Sequence, residues 1–170
     1  MGTRVLKGNC FCGSVRYRLL APPMFTNCCH CLDCQRQTGS AFAINALIEA
    51  SNVELLAGAP VAVPMPTDSG RPHDIYRCPL CQTALWSDYG RRGWVYFVRV
   101  GTLDAPHAIF PDAHIFTRSK VPWVDLSHPL PPGSATGRPA LVCEVYVDMA
   151  KDWPPESLAR RDAAEAAAKR

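Results

Sequence analysis

Eight of the nine cysteines in this 170-residue chain fall into three tight clusters. Cys10 and Cys12 are separated by one residue, Cys28, Cys29, Cys31 and Cys34 share seven positions, and Cys78 and Cys81 form a C-x-x-C pair. Thiolates spaced this closely are read most economically as ligands of zinc, which takes sulfur at tetrahedral corners that short loops supply two at a time. Cys10, Cys12, Cys78 and Cys81 together make a closed four-thiolate site, which would tie the start of the chain to its middle. The alternative for Cys78 and Cys81 is a thioredoxin-type redox pair, which needs a helix beginning inside the motif and a βαβ setting. Cys29, Cys31 and Cys34 form C-x-C-x-x-C, three ligands from one loop. Three protein ligands with one vacant corner is the layout of a catalytic zinc, able to bind an external thiol as its thiolate. The alternative is a second structural site completed by Cys28, Cys143 or a histidine.

Around these residues the chain reads as mainly β. Sixteen prolines and eleven glycines argue for short elements and many turns. Val15, Tyr17 and Leu19 alternate with Ser14, Arg16 and Arg18, the period of a half-buried strand. Further strands are expected at 3–7, 41–48, 52–56, 74–77, 84–87, 94–100, 108–116 and 141–148. The four cysteines of the middle cluster are expected in a loop, followed by a helical turn or two from Leu32 to Thr38 that Gly39 stops. Residues 58–72, with four prolines and two glycines, read as a long loop or irregular hairpin beside the site. The domain is placed at 1–128, and 129–170 is expected to hold a Pro-rich linker, a short strand and a C-terminal helix beginning near Pro155. That helix offers an apolar face of alanines with Leu158 as its one large residue. It is therefore expected to pack loosely or to meet a second subunit in a homodimer.

Composition narrows the function classes. Hydrophobic residues make up 48% and charged ones 19%, enough for a packed core. The formal charge of +3 is no sign of a nucleic-acid partner. A four-thiolate zinc carries −2 and a three-thiolate zinc −1, which together cancel it. No apolar run is long enough to span a membrane, and the first residues lack a signal core. The expected setting is a reducing cytoplasm, where clustered cysteines mean metal or redox chemistry. Among single residues, His30 is expected to point away from the ligands it separates, as a solvent or supporting residue, and His114 to line the pocket or the core. Arg36 could pair a carboxylate of a ligand, though a solvated helix face is its commoner fate. Trp123 is assigned to the core or a pocket wall, Arg91 and Arg92 to an exposed loop, and Cys143 to a buried apolar position.

The motifs taken in order resemble the glutathione-dependent formaldehyde-activating enzyme family, which includes centromere protein V. They are Gly8-Asn9-Cys10-Phe11-Cys12-Gly13-Ser14-Val15-Arg16-Tyr17, Cys29-His30-Cys31-Leu32-Asp33-Cys34 with Gly39-Ser40-Ala41-Phe42, Tyr76-Arg77-Cys78-Pro79-Leu80-Cys81, Val100-Gly101-Thr102-Leu103-Asp104, His114-Ile115 and Trp123. The resemblance spans roughly residues 4–127. It implies small β-sheets stapled by zinc, in a fold shared with Rab-GTPase-binding zinc proteins. It also implies a structural zinc on Cys10, Cys12, Cys78 and Cys81, and a catalytic zinc on Cys29, Cys31 and Cys34. The implied chemistry is that of a carbon–sulfur lyase, joining glutathione and formaldehyde as S-hydroxymethylglutathione. A zinc-stapled binding module without turnover is the reading from another class. Two departures carry expectations of their own. Gln82 stands where the family commonly has glycine, so it must take left-handed backbone or a different turn. Cys28 adds a thiol able to compete for metal.

Overall fold

The computed structural model describes residues 6–127 and 140–170. The chain forms β1 (Leu6–Asn9), β2 (Arg16–Leu19), β3 (Phe25–Cys29), helix α1 (Leu32–Thr38), β4 (Ala43–Glu49), β5 (Val53–Ala57), β6 (Val61–Met65), β7 (His73–Arg77), β8 (Ala84–Tyr89), β9 (Val95–Arg99), β10 (Ala113–Ile115), the two-residue β11 (Leu141–Val142), α2 (Met149–Asp152) and α3 (Pro155–Ala168). Strands β1, β2 and β5 make a small antiparallel sheet. The other eight form one sheet in the order β11-β10-β3-β4-β9-β8-β7-β6. It is antiparallel except around β10, which pairs in parallel with β3 and β11.

The large sheet divides the molecule into two sides. Side chains alternate across a strand, and β4 shows the division plainly: Ala46 and Ile48 enter one core, Leu47 the other. On the first side the small sheet packs down through Val15, Tyr17 and Leu19 onto Leu85, Trp86 and Val98. This is the face predicted from the period-two pattern. Tyr17 is fully buried, stands edge-on to Trp86 and bonds through its hydroxyl to Thr102 Oγ1 at 2.6 Å. Gly8 lies directly beneath it, where a Cβ would come within 2.5 Å of the Tyr17 ring and 2.6 Å of the Thr102 carbonyl. On the second side, Met24, Phe25, Leu47, Val95 and Ile115 meet Val147 and Trp153 from the C-terminal segment.

The C-terminal segment is docked, which corrects the expectation of a loosely packed helix. Trp153, 4% exposed, stacks on Phe25 with ring centroids 5.0 Å apart and planes 8° from parallel. Ser157 donates its hydroxyl to the Met24 carbonyl at 2.6 Å, and Arg160 grips the Glu49 carboxylate through Nε and Nη2 at 2.8 and 2.6 Å. Phe116 and Thr117 donate backbone N–H groups to the Val145 and Cys143 carbonyls. The anchors are one aromatic and two polar side chains, so an inspection of helix apolarity alone overlooks them.

Other differences are local. β3 was not expected; it is buried along its whole length and carries Cys28 and Cys29 out of the supposed loop. Residues 58–72 contain β6, which holds Pro64 at the edge of the sheet, where no ladder bond is required on the outer side. Only three residues of 108–116 pair as a strand, and only two of 141–148. The expected linker at 129–139 lies outside the described residues, as do the first three residues of the expected strand at 3–7.

Candidate functional site

Turns β1–β2 and β7–β8 meet at the edge of the first core. There the Sγ atoms of Cys10, Cys12, Cys78 and Cys81 all lie within 4.8 Å of one another. The sulfur–sulfur separations include 3.5 Å for Cys10–Cys12 and 3.8 Å for Cys12–Cys78. Tetrahedral coordination with metal–sulfur bonds of about 2.3 Å places two sulfurs about 3.8 Å apart, so this donor set fits such an ion. The β7–β8 turn closes with Gln82 at φ +60°, so glutamine takes the left-handed conformation that the departure from glycine demanded. Its strain is offset by the Gln82 N–H to Cys78 carbonyl bond at 3.0 Å and by its side chain, which donates to the Pro79 carbonyl.

Cys29, Cys31 and Cys34 form a second group, also within 4.8 Å, with Cys29 and Cys31 sulfurs 3.4 Å apart. β3 delivers Cys29, the connection to α1 delivers Cys31, and the first turn of α1 delivers Cys34. Cys31 caps that helix, its sulfur accepting the Cys34 backbone N–H at 3.3 Å, and Gly39 ends it at φ +63°. The connection is braced from behind. The His30 carbonyl accepts Gln35 Nε2 at 2.8 Å and Ser119 Oγ at 3.0 Å. Crowding splits the three thiols. Hydrogen bonds from Cys29 and Cys34 hold Cys31 far below the ordinary thiol range. Bonding to Cys31 and Cys34, with burial, drives Cys29 far above it. Cys34 is pushed up to about 11, its bond with Cys29 being outweighed by that with Cys31 and by burial. Of the three, Cys31 is thus the sulfur most disposed to be a thiolate, and a divalent cation would draw protons from the others.

Cys28 faces the other way. Alternation along the strand sends Cys28 and His30 to the opposite side of β3 from Cys29 and Cys31, where they meet His114. His30 points away from the trio, as expected, and of the two settings expected for it, solvent or a supporting position, it is not in solvent, being fully buried. Its Nε2 lies 3.0 Å from His114 Nδ1 and 3.7 Å from Cys28 Sγ. Burial, then His114 and Lys120, lower His30 to about 4, and burial lowers His114, so both rings are neutral at pH 7. Burial raises the Cys28 thiol to about 12. Cys28 is thus a protonated neighbour of the trio on the far side of the backbone.

The trio opens into a cleft of about 860 Å³ on the second side of the sheet. Asn27, Asn45 and Arg99 lie on its floor, joined by hydrogen bonds from Arg99 to Asn45 and from Asn45 to Asn27. Arg71, Arg92, Arg118 and Arg161 also line it, against the acidic Asp33, Asp68 and Glu165. Among these side chains five guanidiniums stand against three carboxylates, an excess of two positive charges that outweighs a single negative charge on the trio. Arg99 is buried, and its Nε has no hydrogen-bond partner among the described residues. Sequence reasoning named none of these arginines as ligand-binding. The one it did consider, Arg36, is exposed on α1 and is not part of the lining. Arg92, assigned to an exposed loop, reaches the cleft as well. Trp123, assigned to core or wall, is 76% exposed and lines nothing here, and Cys143 is half-buried. The missing signal was positional: Asn45 and Arg99 are polar residues on strands made mostly of apolar residues.

The chain is similar to known proteins in three comparisons. Residues 5–119 match the family model described as glutathione-dependent formaldehyde-activating enzyme. A Halomonas elongata protein, provisionally named a glutathione-dependent formaldehyde-activating enzyme, is 26% identical over 127 residues, covering 72% of this chain and 81% of its own. A crystal structure of a Rhodobacter sphaeroides protein aligns with TM-score 0.44 and 24% identity, over 58% of this chain and 87% of that one.

Proposed function

Because the chain belongs to the glutathione-dependent formaldehyde-activating enzyme family, we propose that it is a zinc-dependent carbon–sulfur lyase acting on adducts of glutathione with a small aldehyde. The observation that carries the reading is the placement of Cys29, Cys31 and Cys34 at one end of a cationic cleft. Two zinc ions are assigned per chain. One is held by Cys10, Cys12, Cys78 and Cys81 and secures the fold. The other would be held by Cys29, Cys31 and Cys34, where it would supply the acidity that makes an incoming thiol a nucleophile at neutral pH.

The chain's own groups do the rest. Glutathione carries two carboxylates and one ammonium at neutral pH, and so suits a lining with excess positive charge. Arg71, Arg92 and Arg118 are placed to pair with those carboxylates. The buried Arg99 Nε–H lacks an acceptor. An anionic or carbonyl group entering near the thiols would satisfy it and relieve a cost of about 1–3 kcal/mol. In the reaction the thiol sulfur forms a bond to the aldehyde carbon. The carbonyl π electrons move to oxygen, and the proton lost by the thiol is regained there. The reverse direction breaks the same carbon–sulfur bond.

The test is calorimetric titration of zinc-replete protein with glutathione, paired with exchange NMR of the thiohemiacetal. Saturable binding that is lost in Cys31→Ser, with exchange faster than in buffer, is expected. Absence of binding refutes glutathione as the carrier. Binding without faster exchange refutes the lyase and leaves a binding module.

A further inference from the structure

The family match ends at residue 119, yet the cleft does not. Tyr146, Met149, Trp153, Arg161 and Glu165 complete its lining from the C-terminal segment. We propose that this segment is the wall that selects the aldehyde portion of the adduct, and that the portion it fits is a bulky apolar group, aromatic in preference, larger than the single carbon of formaldehyde. The inference rests on the thiol-adduct reading above and specifies its substrate class.

Three observations carry it. The first is division of charge. Four of the five cleft arginines, Arg71, Arg92, Arg99 and Arg118, come from the family-matched region. The segment contributes Arg161, whose guanidinium is engaged by Asp162 and lies 3.8 Å from the Met149 sulfur, together with the opposing Glu165. The segment therefore adds no net charge, and what it adds is apolar surface from Tyr146, Met149 and Trp153. The second is room. At close-packed density of roughly 20 Å³ per non-hydrogen atom, S-hydroxymethylglutathione fills about half of the cleft. The third is rigidity. The Trp153–Phe25 stack, the Ser157 bond and the paired Arg160–Glu49 contact hold the segment against the sheet. A wall fixed in the free protein spends little ordering entropy on its ligand. Phe116 and Trp94 line the cleft as well, and the Phe116 ring lies 6.5 Å from that of Tyr146, so an aromatic ring bound in the cleft has aromatic partners within its lining.

The probes are two inert thioethers, S-methylglutathione and S-benzylglutathione, titrated by calorimetry into the full-length zinc-replete protein. S-benzylglutathione is expected to bind at least about tenfold more tightly, the discrimination that a few apolar contacts provide. Met149→Ala, a truncation at a half-buried position, is expected to shrink that ratio severalfold. Tyr146→Leu, which keeps bulk but removes the ring, provides a second reading should the first variant fold poorly. Equal affinities in the wild type, or a ratio unchanged in both variants, would overturn the assignment of the wall. Binding of neither thioether by a protein that binds glutathione itself would overturn this inference alone, whereas binding of none of the three would remove glutathione as the carrier, and this inference with it.

Discussion

Replacing Trp153 by alanine tests how firmly the C-terminal segment belongs to the domain. The indole is 4% exposed and lies flat on Phe25. A tryptophan buries about 150–250 Å², which at about 25 cal/mol per Å² amounts to about 4–6 kcal/mol as an upper bound. Allowing for an unfolded state that is itself partly compact, the expected loss is about 4 kcal/mol, in the range of core aromatic truncations. For a chain of this size each kcal/mol moves the melting temperature by about 2–4 °C, so Trp153→Ala should melt about 8–16 °C lower. Thermal unfolding followed by circular dichroism at saturating zinc measures it. Trp153→Phe separates the ring stack from the indole N–H. Trp153 Nε1 is buried with no partner among the described residues. Phenylalanine therefore keeps the stack and discards an unsatisfied donor, and should stay within about 1 kcal/mol of wild type. A drop under about 3 °C for Trp153→Ala, less than 1 kcal/mol, would refute the docking argument.

Other outcomes follow from the same geometry. Elemental analysis of protein prepared without chelator should give two zinc ions per chain. Cys78→Ser should impair folding, because closed sites contribute on the order of 10 kcal/mol of apparent binding energy in metal-dependent domains, whereas Cys31→Ser should stay folded and lose metal only from the cleft. Equal unfolding of both variants by circular dichroism would show both sites to be structural. Gly8→Ala should cost about 1–3 kcal/mol in urea denaturation, because its methyl group meets Tyr17 and backbone together. Arg160→Ala should cost about 2 kcal/mol at pH 7. Burial alone would raise the Glu49 carboxyl, but hydrogen bonds from Arg160 and Asn52 outweigh it and hold the group below its ordinary 4.5. The contribution of that carboxylate is complete above pH 4.5 and fades as pH falls through the lowered value. The gap between wild type and Arg160→Ala should therefore narrow in acid, and a gap that widens there would contradict the pairing.

Local signals in this chain were legible where one residue type had one physical reason. The period of Val15, Tyr17 and Leu19 marked a buried face, Gly39 marked a helix end, and Pro155 a helix start; each appears where it was read. The three cysteine groupings were legible because short spacing alone confines their sulfurs. Three kinds of feature escaped. β3 carries side chains buried on both faces, so it shows no alternation, and its cysteines disguised it as loop. The arginines of the cleft come from five separated segments, and only the folded sheet brings them together. His30 was correctly sent away from the ligands by alternation, but whether the other side was solvent or core depended on His114, eighty-four residues on.

The eight-stranded sheet has consequences for life at high concentration. A sheet that ends in long, regular strands offers its outer row of peptide groups to any similar edge, which is the first step of cross-β association. This one ends at β11, two residues long, and at β6, which carries Pro64 and so lacks one donor in its row. Neither margin gives an incoming strand a continuous template. On the proposed two-zinc reading the chain passes through a metal-poor state, and blunted margins would be most protective then, before the turns that bear Cys10 and Cys78 are fastened. Replacing Pro64 by valine should leave the zinc-loaded fold intact and make the chelated protein form thioflavin-positive aggregates sooner.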